Sequence, residues 1–508
     1  MSSDTSADAA DTELDAGLID VNALVGPDIP AHRSTGASDL LALQRRFGIG
    51  HSLVRDSTAV RVSRTTGNRS VLELGLDTVS PVIVASALHA DRLPGELSAA
   101  VADGARAVWV EHATWEQESE AVRRLLRAVQ ATSLPMLVPH RQPGDAARIG
   151  ALTADAGTPV VLVEARYPDF SEVLPALDRY RNLHVETSSL GSYQAIECVA
   201  RVAGHERILF GSGAPVRTPL SPIYAVLMAD IPVAAKRAIL AGNAARVFGL
   251  GPVPDTRLRV DVPDGLFDVH GHFFPAPWEV PEQPDAPILG ELRRFGIRRQ
   301  VASSIPAIMG ALEFGNAQTV RACAANPDQL GYLVANPDDV DLAEEHIRKW
   351  GECTGIVGVK VHTEGSGVPT RSPRMSRLFE VLADYGRPVK IHNSGEGWED
   401  ALLEIARSHP RLPIVIAHAG YHRPQPSAAA VVNQTPNVHI ELASSKADIR
   451  DARDLVGAVD PERVLFGSDA PLLNPAFVLG LYQDLGLAGP TLERIYRDNG
   501  ERLFDGPA

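Results

Sequence analysis

A run of short motifs in the first half of the chain recurs, in the same order, in the second half. Leu18-Ile19-Asp20-Val21-Asn22 is matched by Leu266-Phe267-Asp268-Val269-His270, and Arg45-Arg46-Phe47-Gly48-Ile49 by Arg293-Arg294-Phe295-Gly296-Ile297. Pro159-Val160-Val161-Leu162 returns as Pro413-Ile414-Val415-Ile416, and Asn182-Leu183-His184-Val185-Glu186 as Asn437-Val438-His439-Ile440-Glu441. The longest match sets Glu206 to Pro215 against Glu462 to Pro471. The spacing between partners grows slowly along the chain, as duplication followed by small loop insertions would leave it. A period of about 250 residues is far above solenoid repeats, so each copy is a whole domain. The expected division is an acidic, Ser/Asp/Ala-rich disordered tail over 1–15, a first domain over 16–252, a proline-interrupted linker over 253–264 and a second domain over 265–508.

Within each copy, apolar runs alternate with helical patterns. Strand candidates in the first are Leu18–Val25, Pro81–Ala85, Ala107–Val110, Pro135–Val138, Pro159–Val163, Leu183–Thr187 and Ile208–Gly211. Helical spacing marks Asp39–Phe47, Glu120–Ala131 and Pro232–Val247. Repeated strand–helix units imply a parallel sheet covered by helices, and about eight of them suit a closed barrel. The expected fold class is α/β, with two tandem (β/α)8 TIM-like barrels.

Charge narrows the partners. A formal charge of -15 without a Lys/Arg-rich run argues against nucleic acid or an anionic membrane surface. The three cysteines, Cys198, Cys323 and Cys353, have neither metal-ligand nor redox spacing. The N-terminus lacks a basic segment leading into an apolar core, and no apolar run is long enough to span a bilayer. A cytoplasmic protein acting on a small molecule is the expectation.

The chemistry is concentrated in the second copy. His270 and His272 end the first strand of that copy, and alternation puts both side chains on one face. Two more apolar strands end in His392 and His418, and another ends in Asp469. Strand C-termini of a parallel barrel gather on one face, so these five residues should converge across the sequence that separates them. The first copy has Asn22, Leu24, Pro139, Glu164 and Gly213 in those places. The apolar framework is kept and the polar set is lost as a group, the behaviour of one functional unit.

Those residues, with Gly358-Val359-Lys360-Val361-His362 on the fourth strand, make residues 265–504 resemble the metal-dependent amidohydrolase superfamily. The likeness is to the amidohydrolase-related branch that includes aminocarboxymuconate semialdehyde decarboxylase, resorcylate-type decarboxylases and pyrone dicarboxylate lactonase. The first half resembles the same barrel in framework only, a degenerate copy without metal ligands. The resemblance implies one ion, Zn²⁺ with Mn²⁺ or Fe²⁺ as alternatives, on His270, His272, His392 and Asp469. It implies water activated by that ion, Asp469 relaying the proton and His418 polarising the substrate. The expected reaction is hydrolysis of an amide, lactone or imine-type bond, with nonoxidative decarboxylation or hydration of a small carboxylic acid as the alternative on the same parts. Lys360 and His362, and the loop residues Glu396, Trp398, Tyr421 and Arg423, are the candidate substrate contacts. Members of this branch often pair barrel against barrel, so a fused copy could replace a second subunit and leave a monomer, or a homodimer through another surface.

Overall fold

Strands such as Ala107–Val110 and Val160–Val163 are buried at every residue. Strands this apolar need cover on both faces, which a parallel sheet ringed by helices supplies. The computed structural model describes residues 12–28, 32–87, 92–111, 120–155, 157–276 and 287–505. The chain divides into two units, Met1–Val260 and Asp261–Ala508.

In the first unit, β1 (Ile19–Asp28), β2 (His51–Asp56), β3 (Val79–Ala85), β4 (Ala107–Val110), β5 (Met136–Pro139), β6 (Val160–Val163), β7 (Leu183–Glu186) and β8 (Ile208–Leu209) pair in parallel and in sequence order. The ring closes where Val21 N–H donates to Phe210 O at 2.9 Å and Leu24 N–H to Ala214 O at 3.0 Å. In the second unit the strands are β9 (Leu266–Phe273), β10 (Ile297–Ser304), β11 (Gln329–Ala335), β12 (Ile356–His362), β13 (Val389–His392), β14 (Ile414–Ile416), β15 (Val438–Glu441) and β16 (Val464–Leu465). They too run parallel in order. Val269 N–H to Phe466 O at 2.9 Å and His272 N–H to Ala470 O at 2.8 Å close that ring. Both units are TIM-like barrels, as the alternation predicts.

The same latch fastens first strand to last in each. Asp268 accepts from the Ser468 N–H at 2.9 Å and its hydroxyl at 2.6 Å. Asp20 accepts from the Ser212 N–H at 2.9 Å and its hydroxyl at 2.5 Å. Burial drives the Asp268 carboxyl up to about 6, against the hydrogen bonds from Gln300 and Ser468 that favour its charged form. Below the latch the barrels are filled by apolar side chains. Phe248 closes the first against Ile19, Leu53 and Trp109, and Phe504 packs against Phe267 and Tyr332 in the second.

Three boundaries differ from the sequence reading. Glu13–Ala16, counted largely within the tail, pairs antiparallel with Thr256–Arg259, counted as linker. Leu14 and Leu258 are buried there while Glu13 meets Arg257 and Arg259 outside, a two-residue alternation too short to stand out in a polar stretch. Residues 1–11 of the expected tail lie outside the described residues. Strand β2 escaped notice because polar residues flank its buried Leu53 and Val54. The helical pattern over 232–247 is a helix Val233–Arg237 and a helix Asn243–Phe248 joined through a π turn at Ala238–Gly242.

Candidate metal centre

β9 presents His270 and His272 to the mouth of the second barrel, with ring centroids 5.1 Å apart. His270 Nδ1–H donates to Glu441 Oε1 at 2.7 Å, which assigns its tautomer, and His272 Nδ1 lies 3.3 Å from both the carbonyl and the hydroxyl oxygen of Ser303. Each Nε2 faces Asp469 Oδ1, at 3.5 and 3.0 Å, where it can give its lone pair to an ion. The three ligand atoms lie within 4.8 Å of one another and all three residues are buried. Acceptors crowded together out of water repel unless a cation or proton lies between them. Two neutral imidazoles and a carboxylate are also the donor set that divalent transition metals take. The residues fit such an ion.

Electrostatics favour that state. Burial, with Lys390 and Lys360 nearby, holds His270 well below the usual imidazole range, so its Nε2 stays unprotonated. Burial would push the Asp469 carboxyl up, but His272, His418 and Lys360 outweigh it and keep it below the ordinary value. Asp469 also stands in the left-handed backbone region at φ 61°, and His418 at φ 58°. Such positions cost a side-chain-bearing residue on the order of 1–3 kcal/mol and persist where the surroundings enforce them.

His418 sits across from His270 at 5.0 Å between ring centroids. Its Nδ1–H donates to Ala443 O at 2.5 Å, which turns Nε2 toward the cluster. His392, 4.9 Å from His418, stacks on His362 at 4.2 Å, the neighbour that strand register gives it. Its buried Nε2 has no hydrogen-bond partner among the described residues and lies 3.7 Å from Glu364 Oε2, so it groups with Glu364 and His422 and not with the compact trio. His362 is turned aside, its Nδ1 accepting from the Gly365 N–H at 3.0 Å. Lys360 points inward, Nζ donating to His270 Nε2 at 3.4 Å, and burial beside Lys390 brings its ammonium down to about 7.

Of the loop candidates, Tyr421 reaches the rim. Its hydroxyl donates to Glu364 Oε1 at 2.6 Å, and its ring lies 6.4 Å from His392. Glu396 and Arg423 are exposed, and Trp398 is buried as the first residue of the helix Trp398–Ser408. None of the three makes a hydrogen bond or ring contact to the histidine cluster among the described residues.

Two carboxylates matter more than the sequence shows. Glu364, exposed at the mouth, gathers Tyr421, His422 and His392, and no motif marks it. Glu441 is fully buried and accepts from His270 Nδ1–H, from the His418 N–H at 2.8 Å and from the Ala443 N–H at 2.8 Å, with Lys390 Nζ 3.3 Å away. Its recurrence as Glu186 reads as framework. Glu186 does serve the framework, accepting from Asn22 Nδ2–H at 3.3 Å and the Ser188 N–H at 2.6 Å. The repeat hides that the same carboxylate orients His270 in the second barrel.

A family model described as amidohydrolase matches residues 75–250 and again 267–506. No curated protein matches the chain. Among solved structures, the chain is similar to 2,6-dihydroxybenzoate decarboxylase from Rhizobium, at 18% identity and a TM-score of 0.40, over 48% of this chain and 99% of that one. It is also similar to 5-carboxyvanillate decarboxylase from Sphingomonas paucimobilis, at 14% and 0.37, over 47% and 99%. A third is a probable 2-pyrone-4,6-dicarboxylic acid hydrolase from Acinetobacter baumannii, at 16% and 0.39, over 47% and 99%.

Proposed function

The chain belongs to the amidohydrolase family, and from that premise we propose that its second barrel is a divalent-metal-dependent hydrolase of a small molecule, cleaving an amide, lactone or imine-type bond. The observation that carries this reading is the buried convergence of His270 Nε2, His272 Nε2 and Asp469 Oδ1, three acceptors that call for a cation. We add His392 as fourth ligand, on the strength of its buried Nε2, which has no hydrogen-bond partner among the described residues. Three imidazoles and a carboxylate suit Zn²⁺, with Mn²⁺ or Fe²⁺ as alternatives. A bound ion supplies Lewis acidity that activates water and polarises a carbonyl.

The remaining steps fall to side chains. Asp469, kept ionised by its neighbours, takes the proton from the attacking water and delivers it to the leaving group. His418, its Nδ1 proton committed to Ala443 O, presents Nε2 to the substrate face and donates there when protonated. Lys360, buried to one side, holds an anionic substituent of the substrate. Glu441 fixes the His270 tautomer, so that its Nε2 stays an acceptor.

The buried ammonium of Lys360 also favours a second reading, nonoxidative decarboxylation, in which Lys360 and His418 hold the departing carboxylate and an acid protonates the carbon left behind. Isotopes separate the two. Lactones, amides and aromatic acids are supplied to metal-loaded protein in H₂¹⁸O and in D₂O. Label entering a new carboxyl supports hydrolysis, whereas CO₂ release with deuterium on carbon supports decarboxylation. Absence of tightly bound metal in protein purified without chelator, with no uptake of Zn²⁺ or Mn²⁺, would refute both. In the same reading the chain is a duplicated barrel whose first copy has given up metal chemistry, and it works as a monomer or homodimer in the cytoplasm. No helix among the described residues is long and apolar enough to cross a membrane.

A further inference from the structure

The mouth of the first barrel has kept its framework and gathers arginines where the second gathers histidines. Asn22 stands in the place of His270, and its side-chain oxygen accepts from Arg55 Nη1–H at 2.6 Å. Arg55 comes from the end of β2, is 8% exposed, and has its Cζ 3.7 Å from the centre of the Trp109 ring. Gly213 stands in the place of Asp469 with a similar left-handed backbone, φ 69° against 61°. Room there is taken by Arg217, since a Cβ on Gly213 would come within 2.8 Å of Arg217 Cδ. Where the second barrel sets an acid to hold a cation, the first sets a guanidinium.

These arginines meet at one carboxylate. Glu164, in the place of His418, keeps a left-handed backbone at φ 65° although glycine would relieve it. Its side chain is ion-paired with Arg141 and lies 3.9 Å from Arg55 Nη2. Arg217 is buried within the field of Glu164 and Glu186. Three guanidinium groups therefore gather about the Glu164 carboxylate, the exposed member of a set of acids that also includes the buried Glu186 and, facing Arg55, Glu111. The Arg55 contact is too long for the parallel two-bond fork that arginine makes with a carboxylate, which leaves a closer ligand something to gain. The pocket is reachable, with the side chains of Glu164 24% and Arg141 42% exposed.

We propose that the mouth of the first barrel is a metal-independent binding site for a small carboxylate, anchored by Arg55, Arg141 and Arg217, in which the ligand takes the place of the Glu164 carboxylate. Arg55 and Trp109 form its floor, so binding alters the surroundings of an indole. The site needs none of the residues assigned to the second barrel, and it stands whether or not the proposed hydrolase reading holds.

The test uses the full chain stripped of metal by chelator and titrated calorimetrically with succinate and with benzoate, succinamide serving as the neutral control. One saturable site per chain is expected for at least one of the acids, with none for succinamide. Arg217→Met should weaken binding at least tenfold, Lys360→Met should leave it unchanged, and the fluorescence change on binding should vanish in Trp109→Phe. Should Arg217→Met fail to fold, Arg141→Gln at a half-exposed position decides, with a weakening of at least threefold expected. The proposal is overturned if neither acid binds at concentrations up to about 10 mM, a limit that corresponds to about 2.7 kcal/mol of binding. It is equally overturned if binding survives both arginine substitutions, or is lost with Lys360→Met, and the arginines then serve only to close the barrel.

Discussion

Replacing Glu441 by glutamine tests the architecture of the metal centre with one atom changed. Glu441 Oε1 takes the His270 Nδ1–H and the His418 N–H and faces Lys390 Nζ, while Oε2 takes the Ala443 N–H. A glutamine oxygen can serve only one side, so its NH₂ group meets a donor on the other. A buried donor left without an acceptor costs about 1–3 kcal/mol. Lys390 loses its carboxylate partner as well, although Nζ keeps its bond to Val269 O at 3.0 Å. Breaking a buried ion pair from one side costs about 3–5 kcal/mol when the remaining charge persists. Loss of the carboxylate behind a ligating imidazole lowers metal affinity about 10- to 100-fold, or about 1.4–2.7 kcal/mol. Two measurements separate these effects, denaturant unfolding of metal-free protein for stability and competition with a chromophoric chelator for affinity. The double variant Glu441→Gln/Lys390→Met should regain stability and still bind metal weakly. A folded Glu441→Gln protein with metal affinity within threefold of the parent would refute the claim that this carboxylate sets the His270 tautomer.

Other outcomes follow from the same geometry. Asp469→Gly installs the residue of the first barrel, relieves a strained backbone and should raise metal-free stability by about 1 kcal/mol while abolishing metal binding; melting and metal analysis of one preparation check both. Zn²⁺ or Mn²⁺ added to stripped protein at about 100 times its Kd should stabilise it by about 2.7 kcal/mol, and His270→Asn should remove that gain in thermal melts. In the first barrel, His140 is buried with Asp169 and Glu172 each 3.4 Å from a ring nitrogen, and its pKa is raised to about 9, the carboxylates prevailing over desolvation. A raised value means its stabilisation is complete below pH 6.5 and is lost as pH climbs through 9, a change of about 3 kcal/mol. His140→Gln should flatten unfolding free energy across that window, and an unchanged slope would refute the assignment.

How far the sequence reaches is shown by individual residues. The apolar runs had to be strands buried on both faces, and their alternation with helical patterns left a parallel barrel as the economical closure. Strand parity put His270 beside His272, and repetition marked His418 and Asp469 as members of the same set by their loss from the first copy. Loop residues were another matter, because no periodicity governs them. Tyr421 reaches the rim through Glu364, while Glu396 and Arg423 point to solvent and Trp398 is packed into its helix.

The sequence by itself determined two barrels, and which of them carries the histidines, because both facts rest on patterns that are local or repeated. Tertiary structure alone decided what those histidines do to one another. Tautomers depend on the atom each Nδ1 finds across the barrel: Glu441 for His270, Ala443 O for His418. The grouping of His392 with Glu364 and His422, and the filling of the space over Gly213 by Arg217, depend equally on which side chains meet at the mouth. Hydrogen bonds and charges act over a few ångströms, and only the closed ring brings residues so distant in the chain that near.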